Sequence, residues 1–94
     1  MNKYELCVVL NGRLEDEARN SEIEKIKNYI TRFGGVSEDN IEEWGKRKFA
    51  YEIDGMNEGY YYFIKFEGKH TTPQELEDSV RIMENVVRFL IVKQ

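Results

Sequence analysis

A chain of 94 residues with a formal net charge of −4 is one small domain, with room for a sheet and two helices but little for an enclosed cofactor cavity. Aromatic residues at 13% beside charged residues at 34% exclude a disordered polyelectrolyte, which needs low hydrophobicity together with high net charge. The acidic balance argues against a protein that holds nucleic acid by its own charge, because phosphate contacts require Lys and Arg. Cys7, the single cysteine, excludes an internal disulfide and a cysteine-based metal site, and inside an apolar run it reads as a small hydrophobe.

Residues 3–10 read as a strand, with Tyr4, Leu6, Val8 and Leu10 on one parity and Cys7 and Val9 on the other. Asn11-Gly12 ends it. Glu15, Asp16 and Glu17 suit a first helical turn, where the helix dipole favours acids. Ile23, Ile26, Ile30 and Phe33 recur at helical spacing and predict one apolar stripe. Gly34-Gly35 stops this helix, since glycine accepts the left-handed cap.

Residues 36–53 begin polar and become strand-like. Trp44-Gly45 interrupts the run as a bulge would, and Lys46-Arg47-Lys48 is the only basic triplet. Phe49, Tyr51 and Ile53 then alternate with Ala50 and Glu52. A turn is expected at Asp54-Gly55-Met56-Asn57, making a hairpin with a strand over Tyr60 to Glu67. In that strand Tyr60, Tyr62, Ile64 and Phe66 face one way, and Tyr61, Phe63 and Lys65 the other. A second helix follows, with Thr72 as its cap, Pro73 at its first position and Glu75 completing a capping box. Its stripe is Leu76, Val80 and Met83. Residues 86–92 are apolar at nearly every position and read as a last strand covered on both faces.

The order strand, helix, strand, strand, helix, strand is the ferredoxin-like split βαβ pattern, βαββαβ. It predicts an α+β domain over 1–94, a four-stranded antiparallel sheet with two helices on one face. The other face is then open. Parity places Cys7, Val9, Tyr61, Phe63 and Lys65 there, joined by Arg88, Leu90 and Val92. An apolar patch of this extent marks a binding surface, for which a protein partner ranks ahead of base stacking or a second copy of the chain. Lys46, Arg47 and Lys48 are the leading phosphate-contact residues, with Arg81 and Arg88 as further contributors.

Catalytic chemistry is thinly represented. His70 is the only histidine and sits in a polar turn. The carboxylates show no acid–base or metal-ligand spacing, and no Gly-rich phosphate loop is present. Neither a cofactor nor a small-molecule substrate is expected. An acylphosphatase-like enzyme shares the element order, but Asn11-Gly12-Arg13 is only a faint echo of its anion-binding turn. A small-ligand-binding or regulatory domain that dimerises through its open sheet is the other rival. The amino terminus has no secretory leader pattern, and no apolar run approaches the roughly 20 residues of a membrane helix. A cytoplasmic protein without a membrane partner is expected.

Four stretches carry a family resemblance: Lys3-Tyr4-Glu5; Trp44 through Ile53, WGKRKFAYEI; Glu58-Gly59-Tyr60-Tyr61; and Arg81 through Leu90, RIMENVVRFL. End to end, the chain resembles the bacterial small-subunit ribosomal protein number six family. The resemblance implies the ferredoxin-like fold. It also implies binding to the central domain of small-subunit ribosomal RNA, together with the basic small-subunit ribosomal protein number eighteen, within the ribosome. On that reading Lys46, Arg47, Lys48, Arg81 and Arg88 meet RNA backbone, and Tyr61, Phe63, Leu90 and Val92 bury against the partner. A basic partner also answers the charge objection. The chain departs from the family at three positions. Phe49 replaces a Leu expected in the core. Glu52 stands where Pro is frequent, and Asp54 where a basic or small polar residue is frequent. The glutamate-extended acidic tail of some members has no counterpart before Gln94.

Overall fold

The period-two alternation near the amino terminus becomes strand β1, Asn2–Asn11. It is followed by helix α1 (Asp16–Arg32), strand β2 (Val36–Ser37), strands β3 (Glu42–Ile53) and β4 (Met56–Gly68), helix α2 (Thr72–Arg81) and strand β5 (Val86–Lys93). The structure, a computed structural model, describes residues 1–53 and 55–94. Strand β1 lies between β4 and β5, and β4 carries β3 and β2 along its other edge. Every neighbouring pair is antiparallel.

Among the described residues the sheet has five strands rather than the expected four. The addition is β2, where Val36 pairs with Glu67 and Ser37 with Phe66. The Glu38 N–H extends the pairing to the Lys65 carbonyl at 2.8 Å. Its cause lies at the end of α1. Gly34 takes φ +84°, its N–H reaches the Thr31 carbonyl, and the Gly35 N–H reaches that of Ile30. This double closure satisfies two terminal carbonyls and turns the chain back along the free edge of β4.

Both helices cover the sheet face that carries Tyr4, Leu6, Val8, Leu10, Tyr62, Ile64 and Phe66. Helix α1 contributes Ile23, Ile26 and Ile30, and α2 contributes Leu76 and Val80, with Met83 just beyond its end. Fully burying each such aliphatic side chain contributes roughly 1.5–3 kcal/mol. Arg19 fastens the start of α1 to this layer. Its guanidinium donates to the Leu14 carbonyl at 2.7 Å, to the Tyr62 hydroxyl at 3.2 Å and to Asp16. It also lies 3.7 Å over the Tyr60 ring.

Three expectations need correction. The capping box at Thr72 does not form. Thr71 is the cap residue, no side-chain cap bond exists, and Thr72 is the first helical residue. The buried Thr72 hydroxyl instead donates to the Phe33 carbonyl at 2.7 Å and accepts the Lys69 N–H at 3.1 Å, joining the end of α1 to the start of α2. The β3–β4 turn is tighter than expected. Ile53 pairs with Met56, so Met56 and Asn57 belong to β4. Gly55 takes φ +77°, and Asp54 lies outside the described residues. Finally, β5 is an edge strand covered on one face only, so its alternate residues Arg88, Leu90 and Val92 face solvent.

Candidate partner-binding face

Strand pairing fixes the open face as three transverse rows. Lys65, Glu5 and Val92 form the first, Phe63, Cys7 and Leu90 the second, and Tyr61, Val9 and Arg88 the third. Because side chains alternate across a strand, these are the residues turned away from the helices. Leu90 is 61% exposed and Val92 40%. All four predicted partner contacts, Tyr61, Phe63, Leu90 and Val92, therefore stand on one surface. Burial pushes the half-buried Cys7 thiol upward in pKa, and the nearby Glu5 carboxylate adds to the shift.

Two aromatic side chains enlarge this surface beyond the expected set. The β3–β4 register shifts between Glu43 and Gly45, and Gly45 takes φ +76°. The bulge predicted at Trp44-Gly45 is thus present. It turns the Trp44 ring onto the open face, 4.6 Å from Phe63 and 6.3 Å from Tyr61 between centroids. Trp44 remains 50% exposed. Phe49, expected in the core, lies on the open face, its ring and that of Tyr61 meeting edge to face with centroids 6.4 Å apart. Gly59 makes room for it, since a Cβ there would sit 2.9 Å from Phe49 Cζ and 2.8 Å from the Leu10 carbonyl oxygen. The signal for Phe49 was its parity with Gly59 and Tyr61 in the hairpin. For Trp44 parity failed, because a bulge adds a residue and resets the alternation.

The rim is electrically divided. A shallow hollow of about 390 Å³ at one end is lined by Glu5, Glu38, Glu42 and Lys65 with Phe63. Arg47 and Arg88 lie toward the other end, opposite Gly59 and Val9 respectively. The five predicted phosphate contacts do not all share one surface. Lys46 pairs with Tyr60 and lies 5.4 Å over its ring, with Glu58 at 3.8 Å, so it belongs to the helix side. Lys48 is exposed opposite Glu58. Arg81 is on α2, in the helix layer, bound to Glu77 at 2.5 Å. Only Arg47 and Arg88 stand on the open face.

Among the described residues no group of three or more His, Cys, Asp and Glu is placed to hold a metal ion, and no helix is long and apolar enough to cross a membrane. His70 is exposed in the turn before α2.

A family model described as ribosomal protein S6 matches residues 3–93. Small ribosomal subunit protein bS6 of Clostridium acetobutylicum is 46% identical over 92 residues, spanning 98% of this chain and 96% of that protein. The protein of the same description from Clostridium novyi is 47% identical over 92 residues, with 98% and 96% covered. The crystal structure of 30S ribosomal protein S6 from Thermotoga maritima superposes with a TM-score of 0.91 at 32% identity, covering 99% of this chain and 87% of that one. The ferredoxin-like architecture is therefore shared with a solved relative. Sequence and fold agree that the chain belongs to the ribosomal protein S6 family and is a protein of the small subunit of the cytoplasmic ribosome, not an enzyme.

Proposed function

We propose that this protein binds the central domain of small-subunit ribosomal RNA jointly with small-subunit ribosomal protein number eighteen, and that the pair helps this RNA region fold. The observation that carries the reading is the open face, where Trp44, Leu90 and Val92 are each at least 40% exposed beside Tyr61 and Phe63. Leaving a continuous apolar surface in water is unfavourable unless a partner covers it. A net charge of −4 favours a basic partner, and complementary charge speeds and orients such pairing.

In this reading Tyr61, Phe63, Leu90 and Val92 bury against the partner. Lys46, Arg47, Lys48 and Arg88 hold RNA backbone from the hairpin and the edge of the sheet. Backbone contacts of this kind set position and carry little base information. Arg81, in the helix layer, meets only RNA that passes round that side. The partner supplies most of the positive charge, so this chain alone binds RNA weakly. The test is co-purification of the chain with a central-domain RNA fragment and with the partner, each in the presence and absence of the other. Strong retention only with both present is expected. Tight RNA binding by this chain alone, or no pairing between the two proteins, would refute it.

A further inference from the structure

Resting on the reading of the open face as a protein interface, we infer that Trp44 is the principal anchor of that interface and that a basic protein's apolar side chain seats on its ring. Several observations converge on this residue. It is the chain's single tryptophan and is half exposed. Its ring continues the apolar surface of Phe63 and Tyr61. Its ring is oriented by the indole N–H, which donates to the Glu42 carboxylate at 2.7 Å, and Arg47 donates to the Trp44 backbone carbonyl at 3.2 Å. The Arg47 guanidinium lies 5.7 Å from the ring centroid. Trp44, Arg47 and Tyr61 together line a shallow apolar recess of about 340 Å³.

A rigid, pre-oriented aromatic loses little entropy on binding, and Trp, Tyr and Arg are the residue types in which interface binding energy concentrates. The rival occupant is an unpaired RNA base stacked on the indole, with Arg47 on its phosphate. The surroundings favour protein. Glu42 places a carboxylate at the ring edge, and Glu5 and Glu38 lie with it around the hollow beside Phe63. That charge repels a polyanion and attracts the cations of a basic protein. The aliphatic extension over Leu90 and Val92 also gives a base nothing to stack on.

Because Trp44 is the only tryptophan, its fluorescence reports occupancy directly. The full chain is titrated with small-subunit ribosomal protein number eighteen lacking tryptophan, and separately with a single-stranded oligouridylate. The expected result is a blue shift of the emission with the protein and no change with the RNA. Pairing, measured by calorimetry, should weaken about thirtyfold or more in Trp44→Ala and recover to within several-fold of wild type in Trp44→Phe. Ile82→Ala, an exposed residue at the end of α2 on the helix side, should pair as wild type. Pairing that leaves the emission unshifted, with Trp44→Ala binding within twofold of wild type, would overturn the anchor while sparing the interface. Quenching by oligouridylate without a shift on pairing would assign the ring to RNA and overturn it as well. Failure of the wild-type proteins to pair at all would remove the interface reading and the anchor together.

Discussion

The two faces of one sheet are built from the same strands with opposite purposes. On the covered face Leu6, Val8, Leu10 and Ile64 are fully buried beneath two helices. On the other face the alternating neighbours Cys7, Phe63 and Leu90 form a row that no helix shields. Apolar side chains on the first face are there for folding, because their burial is complete in the free chain. On the second, burial is incomplete in the free chain, and in the proposed function a partner completes it. The difference means that truncation on the two faces should register in different experiments.

The largest effect is expected from Leu6→Ala. Removing a fully buried side chain beneath the helices should cost about 2–5 kcal/mol in denaturant unfolding. A loss below about 1 kcal/mol would mean the helices do not pack as described. Next comes Phe63→Ala, which should weaken pairing with the basic partner by about 1–3 kcal/mol, or roughly 5- to 150-fold. Its cost to the free chain should be smaller than that of Leu6→Ala, since Phe63 is only half-buried. If calorimetry shows unchanged pairing, the open face is not the interface. A smaller effect is expected from Arg47→Gln in the assembled pair. The logarithmic salt dependence of RNA affinity should lose about one unit of slope, and an unchanged slope would remove Arg47 from the backbone contacts.

The smallest effect concerns pH. Burial raises the Cys7 pKa in the folded chain, so the native state holds this proton more tightly than the unfolded state. Its contribution to stability is full below the ordinary thiol range and is lost as pH rises through that range to the raised folded value. Cys7→Val should flatten that decline. Tyr62, also pushed upward by burial, leaves a further decline at higher pH. A wild-type stability that rises through this window would contradict both assignments.

Where local pattern and tertiary contact agree, the sequence was readable. Alternation in β1 and β4 and the Ile23, Ile26, Ile30 stripe of α1 placed the covered face, and the same parity placed Phe63 and Leu90 on the open one. It failed where distant groups decide. Thr72 has the spacing of a capping box, but its hydroxyl is claimed by the Phe33 carbonyl 39 positions earlier. The two-residue β2 is too short to show a period. Phe49 and Trp44 were misplaced or overlooked because their faces depend on Gly59 and on the bulge at Gly45. The apolar run of β5 suggested cover on both faces. The same run belongs to an edge strand whose alternate side chains face solvent.

Leu90→Glu tests the division between the faces most directly, because it places a charge in the middle row of the open face on a side chain already 61% exposed in the free chain. The measurement is pairing affinity with the basic partner, set against the unfolding free energy of the variant alone. Stability should stay within about 0.5 kcal/mol of wild type, as for ordinary surface substitutions. Pairing should weaken about a hundredfold or more, because the carboxylate would be desolvated in the interface. Wild-type pairing by a folded Leu90→Glu chain would contradict that division.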